Sequence, residues 1–193
     1  MKKIAVLVSG GGTNLQAILD AQTKGIITKG KVCCVISSNE TAYALERAKN
    51  AGVEGVAFTR AKYGDGLCDA ICDYLLENEI DYVVLAGFLV ILKGKILKEY
   101  ADRIINIHPS LIPSFCGDGF YGLRVHEAAL KYGVKVTGAT VHFVNEITDG
   151  GKIIMQKAVY INDDDTPETL QRRVMEEAEW QILPEAIEKV CGQ

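Results

Sequence analysis

Short apolar runs alternate with helix-like segments along almost the entire chain, and this alternation constrains the fold more than any other feature. Residues 4–8 form a continuous apolar run that ends at a glycine loop, as expected for a strand buried on both faces. Residues 42–51 then have the character of a helix that stops at Gly52. Repeated alternation of this kind predicts an α/β protein with a mainly parallel sheet.

The same pattern places the later elements. Strands are predicted at residues 4–8, 32–36, 56–58, 82–86, 103–107, 136–144 and 153–159. Helices are predicted after the glycine loop, over 42–51, around 67–75, at 94–100 and at 125–132, and a last helix is predicted from Pro167 to about Val190 with a bend at Pro184. The connection through Asp149 is short enough for an antiparallel hairpin, so the sheet should be mixed.

Length and composition predict one ordinary globular domain spanning residues 1–193, with 48% apolar and 24% charged residues. The net charge of −4 gives no reason to expect binding to nucleic acid or to anionic membranes. No secretory signal or membrane-spanning stretch is apparent. The six cysteines have no metal-binding spacing and are expected to be reduced thiols of a cytoplasmic protein.

A glycine loop, Ser-Gly-Gly-Gly-Thr-Asn at residues 9–14, separates the first strand from the first helix. Glycine lets the backbone approach a ligand closely, and a helix N-terminus presents unpaired N–H groups, so this combination suits a phosphate. Leu15 stands where a dinucleotide-binding motif needs its third glycine, and the Gly-Lys-Ser/Thr of a Walker loop is missing. A single-phosphate site and a turn without any ligand stay open, and we favour the phosphate. The spacing of Thr13 and Gln16 also predicts a capping box.

The segment Asn-Ile-His-Pro-Ser-Leu-Ile-Pro at residues 106–113 carries the strongest chemical signal. Asn106 and His108 are two residues apart at the end of a predicted strand, so both side chains should point to the same face. Pro109 ends the strand, at the sheet edge where open α/β folds bind ligands. The imidazole can exchange protons near neutral pH, and the amide can donate a hydrogen bond to an oxyanion. The alternative is that His108 caps a loop while Asn106 satisfies local backbone groups.

A structural role, not a catalytic one, is the simplest interpretation of the other two histidines and of Asp149. His126, on a predicted helix, is expected at the surface or packed against a loop, and His142, within a strand, is expected to be a hydrogen-bonded core residue. Asp149 precedes two glycines, which is typical of a turn. If the fold brings Asp149 beside His108, the carboxylate should favour imidazolium and raise the pKa of the histidine.

Five motifs, in order and spacing, resemble the glycinamide ribonucleotide formyltransferases, and the resemblance covers nearly the whole chain. They are Ser-Gly-Gly-Gly-Thr-Asn at 9–14, Val-Leu-Ala-Gly-Phe at 84–88, Asn-Ile-His-Pro-Ser-Leu-Ile-Pro at 106–113, Val-His-Phe-Val at 141–144 and Asp-Gly-Gly at 149–151. Asn-x-His followed by Asp-Gly-Gly is specific to folate-dependent formyltransferases. The resemblance implies a Rossmann-like three-layer formyltransferase fold, with a mostly parallel mixed sheet of about seven strands.

The resemblance also implies the reaction, which is direct formyl transfer from 10-formyltetrahydrofolate, as co-substrate, to the amine of glycinamide ribonucleotide, without a metal. Asn106 would stabilise the oxyanion, His108 would be the general acid/base, and Asp149 would tune it and orient a proton-relaying water. Four residues would bind the substrate: Gly12, Thr13, Asn14 and Glu179. The folate would contact Asn106 together with Leu89, Val90, Ile91, Leu92, Glu146, Ile147 and Thr148. The phosphate-binding half would span roughly residues 1–100, and the folate-binding and catalytic half roughly residues 85–193.

The chain departs from the family pattern at several points. Val90 and the Gly-Asp-Gly at 64–66 stand where many members have arginine, so basic groups for the glutamate tail of the folate are missing. The loop at 114–121 is longer than in the family, and one additional residue lies between Val174 and Glu179.

We expect a cytoplasmic enzyme, monomeric or homodimeric, whose partner is a small-molecule substrate. Two other functions stay open at this point. One is an enzyme of similar fold that hydrolyses formyl-folate or formylates another sugar-phosphate amine. The other is a nucleotide-binding α/β module without catalysis, for which the glycine loop alone would suffice.

Overall fold

The computed structural model describes residues 1–193 and contains one seven-stranded sheet with the strand order β3-β2-β1-β4-β5-β6-β7. The strands are β1 (Lys2–Val8), β2 (Gly30–Ser37), β3 (Glu54–Ala57), β4 (Tyr82–Leu85), β5 (Ile104–His108), β6 (Val136–Phe143) and β7 (Ile153–Tyr160). The helices are α1 (Thr13–Thr23), α2 (Tyr43–Asn50), α3 (Arg60–Tyr63), α4 (Leu67–Glu77), α5 (Lys95–Glu99), α6 (Leu123–Tyr132), α7 (Pro167–Val174) and α8 (Trp180–Cys191). The predicted α/β class and the order of the elements are confirmed.

The sheet is mixed, as predicted. Strands β3, β2, β1, β4 and β5 are parallel to one another, whereas β6 is antiparallel to both β5 and β7. The continuous apolar character of β1 follows from its central place, because residues in the middle of a covered parallel sheet are buried on both faces. Residues Ile4, Ala5, Val6, Leu7 and Val8 are all inaccessible to solvent.

Two apolar cores cover the two faces of the sheet. One contains the buried sides of α1 and α8 together with alternate strand residues such as Ile105 and Ile107. The other contains residues of α4 and α5 with the intervening strand residues, including Ile104. Because successive strand residues point to opposite faces, Asn106 and His108 share the face of Ile104.

The chain reverses its direction across the sheet between β1 and β4, so this pair is the topological switch point of the fold. Ligands of open α/β sheets bind outside the carboxyl ends of the strands at such a point. The glycine loop follows β1, residues 86–92 follow β4, and His108 ends β5. Three of the segments singled out from the sequence are therefore brought to one place by the topology.

The glycine loop forms a close turn, but the predicted capping box is wrong. Gly12 precedes α1 with a φ of 73°, and a Cβ at this position would lie 2.7 Å from the Cβ of Ala44. Only glycine therefore combines this backbone conformation with so close a neighbour. Thr13 is the first helical residue, and no side chain caps the helix, so its first N–H groups stay open to a ligand.

The C-terminal helical region is interrupted earlier than predicted. Thr166 caps α7 through a reciprocal bond with Thr169, but the irregularity falls in a π-helical turn at Met175–Glu179, while α8 continues through Pro184. A π turn encloses one more residue per hydrogen-bonded ring than an α turn. This turn covers the segment between Val174 and Glu179 where the sequence predicts an additional residue relative to the family.

All six cysteines are unpaired thiols. None of the helices combines the length and the apolar character needed to cross a membrane.

Candidate active site

The fold brings Asn106, His108 and Asp149 together. Asn106 and His108 lie on one face of β5, as their spacing predicts, and Asp149 enters from the connection between β6 and β7. The Nδ1 atom of His108 is 3.6 Å from Oδ2 of Asp149, and both side chains are largely buried. Asp149 has a φ of 54°, a conformation that aspartate adopts more readily than most residues.

The loop at residues 114–121 holds both members of this pair. Nε2 of His108 donates to the carbonyl of Phe115 at 2.9 Å, and the N–H of Gly117 donates to Oδ2 of Asp149 at 2.8 Å. Because a carbonyl only accepts, the neutral imidazole carries its hydrogen on Nε2. The lone pair of Nδ1 is left beside the Asp149 carboxylate, so a proton taken up by His108 forms an ion pair there.

Asp149 does act to raise the pKa of His108, as expected, but a larger effect opposes it. Burial of the ring lowers the pKa below the ordinary 6.5, and this outweighs the opposing effects of the Asp149 charge and the Phe115 carbonyl. The ring is therefore mainly neutral at pH 7 and able to accept a proton.

Asp149 is held as a carboxylate. Burial raises the pKa of its carboxyl, but the neighbouring His142, the charge of His108 and the N–H of Gly117 together bring the pKa below its ordinary value. The pair therefore consists of a neutral base and a permanent negative charge that can stabilise its protonated form.

A second acid lines the same cavity. Glu179 is 6% exposed at the end of the π turn, and its Oε2 accepts a hydrogen bond of 2.6 Å from Nδ2 of Asn14 in α1. Burial raises the pKa of Glu179 to about 7, although the bond from Asn14 acts in the other direction. Glu179 can therefore hold or release a proton near neutral pH.

These groups line one cavity of about 610 Å³. Its walls include every predicted site residue except two: Asn14, Leu89, Val90, Ile91, Leu92, Asn106, His108, Glu146, Ile147, Thr148, Asp149 and Glu179. Gly12 and Thr13 are the exceptions, because they lie at the start of α1, with Thr13 facing a neighbouring groove. The loop at 117–122 also lines the cavity, and sequence reasoning missed further wall residues, among them His142, Gln171 and Met175.

One rim of the cavity is apolar and open. Leu89, Ile91 and Ile147 are 65%, 67% and 68% exposed, which is unusual for side chains of this type. No lysine or arginine lines the cavity. Its walls therefore contain no basic group that could replace the arginines missing at Val90 and at 64–66. Exposed apolar groups beside a cavity indicate a binding surface for a ligand with an apolar part.

The glycine loop is attached directly to this rim. The hydroxyl of Ser9 accepts a hydrogen bond of 2.9 Å from the N–H of Leu89, and the N–H of Ser9 donates to the carbonyl of Gly87 at 3.1 Å. On its other side the loop is held by Arg47, whose Nε donates to the Gly11 carbonyl at 2.7 Å. The glycine loop and the apolar rim are therefore parts of one connected structure.

His126 does not lie where the sequence suggests. It is completely buried in α6, and neither ring nitrogen has a hydrogen-bond partner in the protein. Burial, together with the nearby His108, lowers the pKa of His126 to about 4. The sequence does carry a signal for this burial. The apolar residues Val125 and Ala129 are four positions apart on one face of the helix, and both are buried beside His126.

We expect His126 to make folding sensitive to acid. The unfolded chain binds a proton at this histidine near pH 6.5, whereas the folded chain does so only near pH 4. The stabilisation is therefore complete above pH 6.5 and is lost as the pH falls towards 4, by about 3 kcal/mol in the free energy of unfolding. Urea denaturation of the wild type and of His126→Leu between pH 4 and 7.5 tests this. The wild type should lose more stability than the variant over that range, and parallel pH profiles would contradict the assignment.

Comparison with known proteins places the chain in a family. The formyl transferase family profile matches residues 2–187. Phosphoribosylglycinamide formyltransferase from Haemophilus influenzae is 45% identical over 186 residues, which cover 95% of this chain and 84% of that protein. The crystal structure of glycinamide ribonucleotide transformylase 1 from Symbiobacterium toebii superposes with a TM-score of 0.93 at 44% identity, covering 100% of this chain and 88% of the other. The phosphoribosylglycinamide formyltransferase structure from Bacillus halodurans gives a TM-score of 0.91 at 36% identity, covering 100% and 96%.

This chain belongs to the formyl transferase family. Within that family, the resemblance to the glycinamide ribonucleotide formyltransferases and to their three-layer fold is confirmed by these relatives.

Proposed function

We propose that the protein transfers the formyl group of 10-formyltetrahydrofolate to the amine of glycinamide ribonucleotide, as a step of purine synthesis. The products are N-formylglycinamide ribonucleotide and tetrahydrofolate. The observation that carries this proposal is the convergence of Asn106, His108 and Asp149 on one cavity beside a phosphate-type loop. The names of the relatives support the choice of substrates.

The two substrates would enter from opposite sides of the cavity. The apolar rim of Leu89, Ile91 and Ile147 suits the ring system of a folate. The unpaired N–H groups at the start of α1 suit the phosphate of the ribonucleotide. The substrate amine would then reach the centre of the cavity, between Glu179 and His108.

Transfer requires no covalent bond to the protein. The amine nitrogen attacks the formyl carbon, and the formyl oxygen becomes an oxyanion that accepts a hydrogen bond from the amide of Asn106. Nδ1 of neutral His108 takes the proton that the amine nitrogen loses, and the resulting imidazolium is stabilised by Asp149 at 3.6 Å. The proton then passes to N10 of the folate as the bond between N10 and the carbon breaks and the carbonyl re-forms.

Glu179 would act at the amine side. An amine must be neutral to attack, and a buried carboxyl with a pKa of about 7 can receive its proton without a large energetic penalty. The bond from Asn14 holds this carboxyl in place. The π turn is what presents it to the cavity.

A turnover assay tests the proposal. The protein is mixed with 10-formyltetrahydrofolate, or with its 10-formyl-dideaza analogue, and glycinamide ribonucleotide, and the absorbance of the deformylated folate is followed. We expect turnover that requires the ribonucleotide. Removal of one oxyanion donor in Asn106→Ala should lower kcat by about 10²–10³-fold.

The alternatives give different products. Free formate without the ribonucleotide would identify a hydrolase, and a formylated amine only with another sugar-phosphate acceptor would identify a different specificity. If both compounds bind without forming any product, and if Asn106→Ala binds them as the wild type does, the protein is a binding module and the proposal is overturned.

A cytoplasmic location goes with this function. Six unpaired thiols in one chain are typical of a reducing compartment.

A further inference from the structure

His142 contacts the proposed oxyanion donor directly. It lies in β6 opposite Asn106 of β5 in the antiparallel register, so the two side chains lie on the same face of the sheet. Its ring is 1% exposed. The pairing of β6 with β7 shifts between Val141 and His142, and such irregularities often aim a side chain at an active site.

Hydrogen bonding determines the tautomer of this ring. Nδ1 of His142 lies 2.9 Å from the carbonyl oxygen of Phe143, which can only accept. Nδ1 therefore carries the hydrogen, and in the neutral ring Nε2 presents a lone pair.

The lone pair on Nε2 selects one orientation of the Asn106 amide. Nδ2 of Asn106 donates to Nε2 at 3.1 Å, whereas the nearest Asp149 oxygen is 3.7 Å away and beyond hydrogen-bond length. A flipped amide would set its oxygen against the lone pair of Nε2, so two acceptors would face each other. In the observed orientation the second N–H of Asn106 stays free for the cavity.

We propose that His142 is a positioning residue, which orients the Asn106 amide so that it presents an N–H, not its oxygen, to the formyl oxyanion. This inference rests on the proposed function, because it assigns to Asn106 the role of oxyanion donor. The Phe143 carbonyl fixes the hydrogen on Nδ1 of His142, and the lone pair that remains on Nε2 then fixes the orientation of the Asn106 amide.

Two substitutions at His142 distinguish a role in orienting the Asn106 amide from a role in packing alone. In His142→Asn the side-chain amide can replace Nδ1 and still donate to the Phe143 carbonyl, but it does not reach Asn106. In His142→Gln the longer side chain can place an acceptor oxygen near the former Nε2. We expect kcat to fall by about 10–10²-fold in His142→Asn with little change in KM, and to recover most of that loss in His142→Gln.

Combination with Asn106→Ala supplies a readout that a structural role would not give. Once the amide is gone, His142 has nothing to orient, so the double variant Asn106→Ala/His142→Asn should have the same kcat as Asn106→Ala alone. Independent losses that multiply in the double variant would overturn the inference. Equal kcat values for His142→Asn and His142→Gln would overturn it too.

The controls distinguish this inference from the proposed function. Melting temperatures show which variants are folded, and if His142→Asn does not fold, the same comparison is made with His142→Ala, which also leaves no acceptor at the former Nε2. A wild type without formyl transfer would remove the proposed function itself. A wild type that transfers formyl groups while His142→Asn retains full kcat would remove only the role of His142.

Discussion

Replacing His108 with alanine is expected to lower kcat for formyl transfer by about 10²–10⁴-fold, the range usual for a general acid/base. The imidazole is kept mainly neutral by burial, its Nε2 hydrogen is bound by the Phe115 carbonyl, and its Nδ1 faces Asp149. Without the ring, the proton released by the attacking amine has no acceptor beside that carboxylate. The KM values should change less, because the rest of the cavity wall remains.

His126→Leu provides a matched control for this measurement. It also removes a buried imidazole, but one without hydrogen bonds and outside the cavity wall. At pH 7.5 this control should keep a kcat close to that of the wild type. A His108→Ala variant that stays within about tenfold of the wild type would remove His108 from the general acid/base role.

The elements of the fold were largely predictable, but one part of the strand arrangement was not. Apolar runs with glycine boundaries are sufficient to find a strand such as β1, because its burial on both faces requires them. The antiparallel direction of β6 relative to β5 was not predictable from its long connection, which contains a helix as parallel crossovers do. That direction matters because it sets His142 opposite Asn106.

The candidate site was predictable where it depends on spacing within one strand. Asn106 and His108 share a face through the period of two. The proximity of Asp149 to His108 depends on how two distant segments fold, so the sequence alone left it conditional. The sequence indicates how the Asp149 charge acts on the His108 pKa but not the net direction, because the net direction also depends on how deeply the ring is buried, and burial at a loop-covered strand end has no local pattern.

Glu179 shows how an apparent irregularity of the sequence can be structural information. The additional residue that the sequence predicts before it would, within a regular α-helix, rotate everything that follows by about 100°. The π turn at Met175–Glu179 spans the position of that predicted residue. Glu179 lies opposite Asn14, while Ile182 and Leu183 of α8 are buried in the core.

Gly151→Ala is expected to reduce activity strongly although Gly151 contacts no substrate group in the proposed reaction. A Cβ at this position would lie 1.7 Å from the carbonyl oxygen of Phe143 and 2.6 Å from its carbonyl carbon. Both are backbone atoms of the sheet and cannot move aside as the end of a side chain could. The connection between β6 and β7 must therefore shift, and Asp149 moves with it.

The shift affects two parts of the site at once. Asp149 leaves its position 3.6 Å from His108, and the Phe143 carbonyl that receives the His142 hydrogen is displaced. A misplacement of about 1 Å can lower a rate by about 10²-fold, so kcat should fall by at least that factor. Steric strain of this kind should also reduce the free energy of unfolding by about 1–3 kcal/mol.

Gly66→Ala separates the steric effect from the general effect of replacing glycine. Gly66 has no neighbouring atom within 4 Å of an added Cβ and has a negative φ of −79°. Alanine there should leave kcat unchanged and leave stability equal or slightly higher, because it restricts the unfolded chain. Both variants are compared by turnover at saturating substrates and by urea denaturation.

A Gly151→Ala protein that is folded and has the kcat of Gly66→Ala would contradict this prediction. It would show either that the position of Asp149 does not depend on this contact, or that Asp149 does not matter for transfer. Asp149→Asn decides between these two conclusions, since it removes the charge without disturbing the backbone.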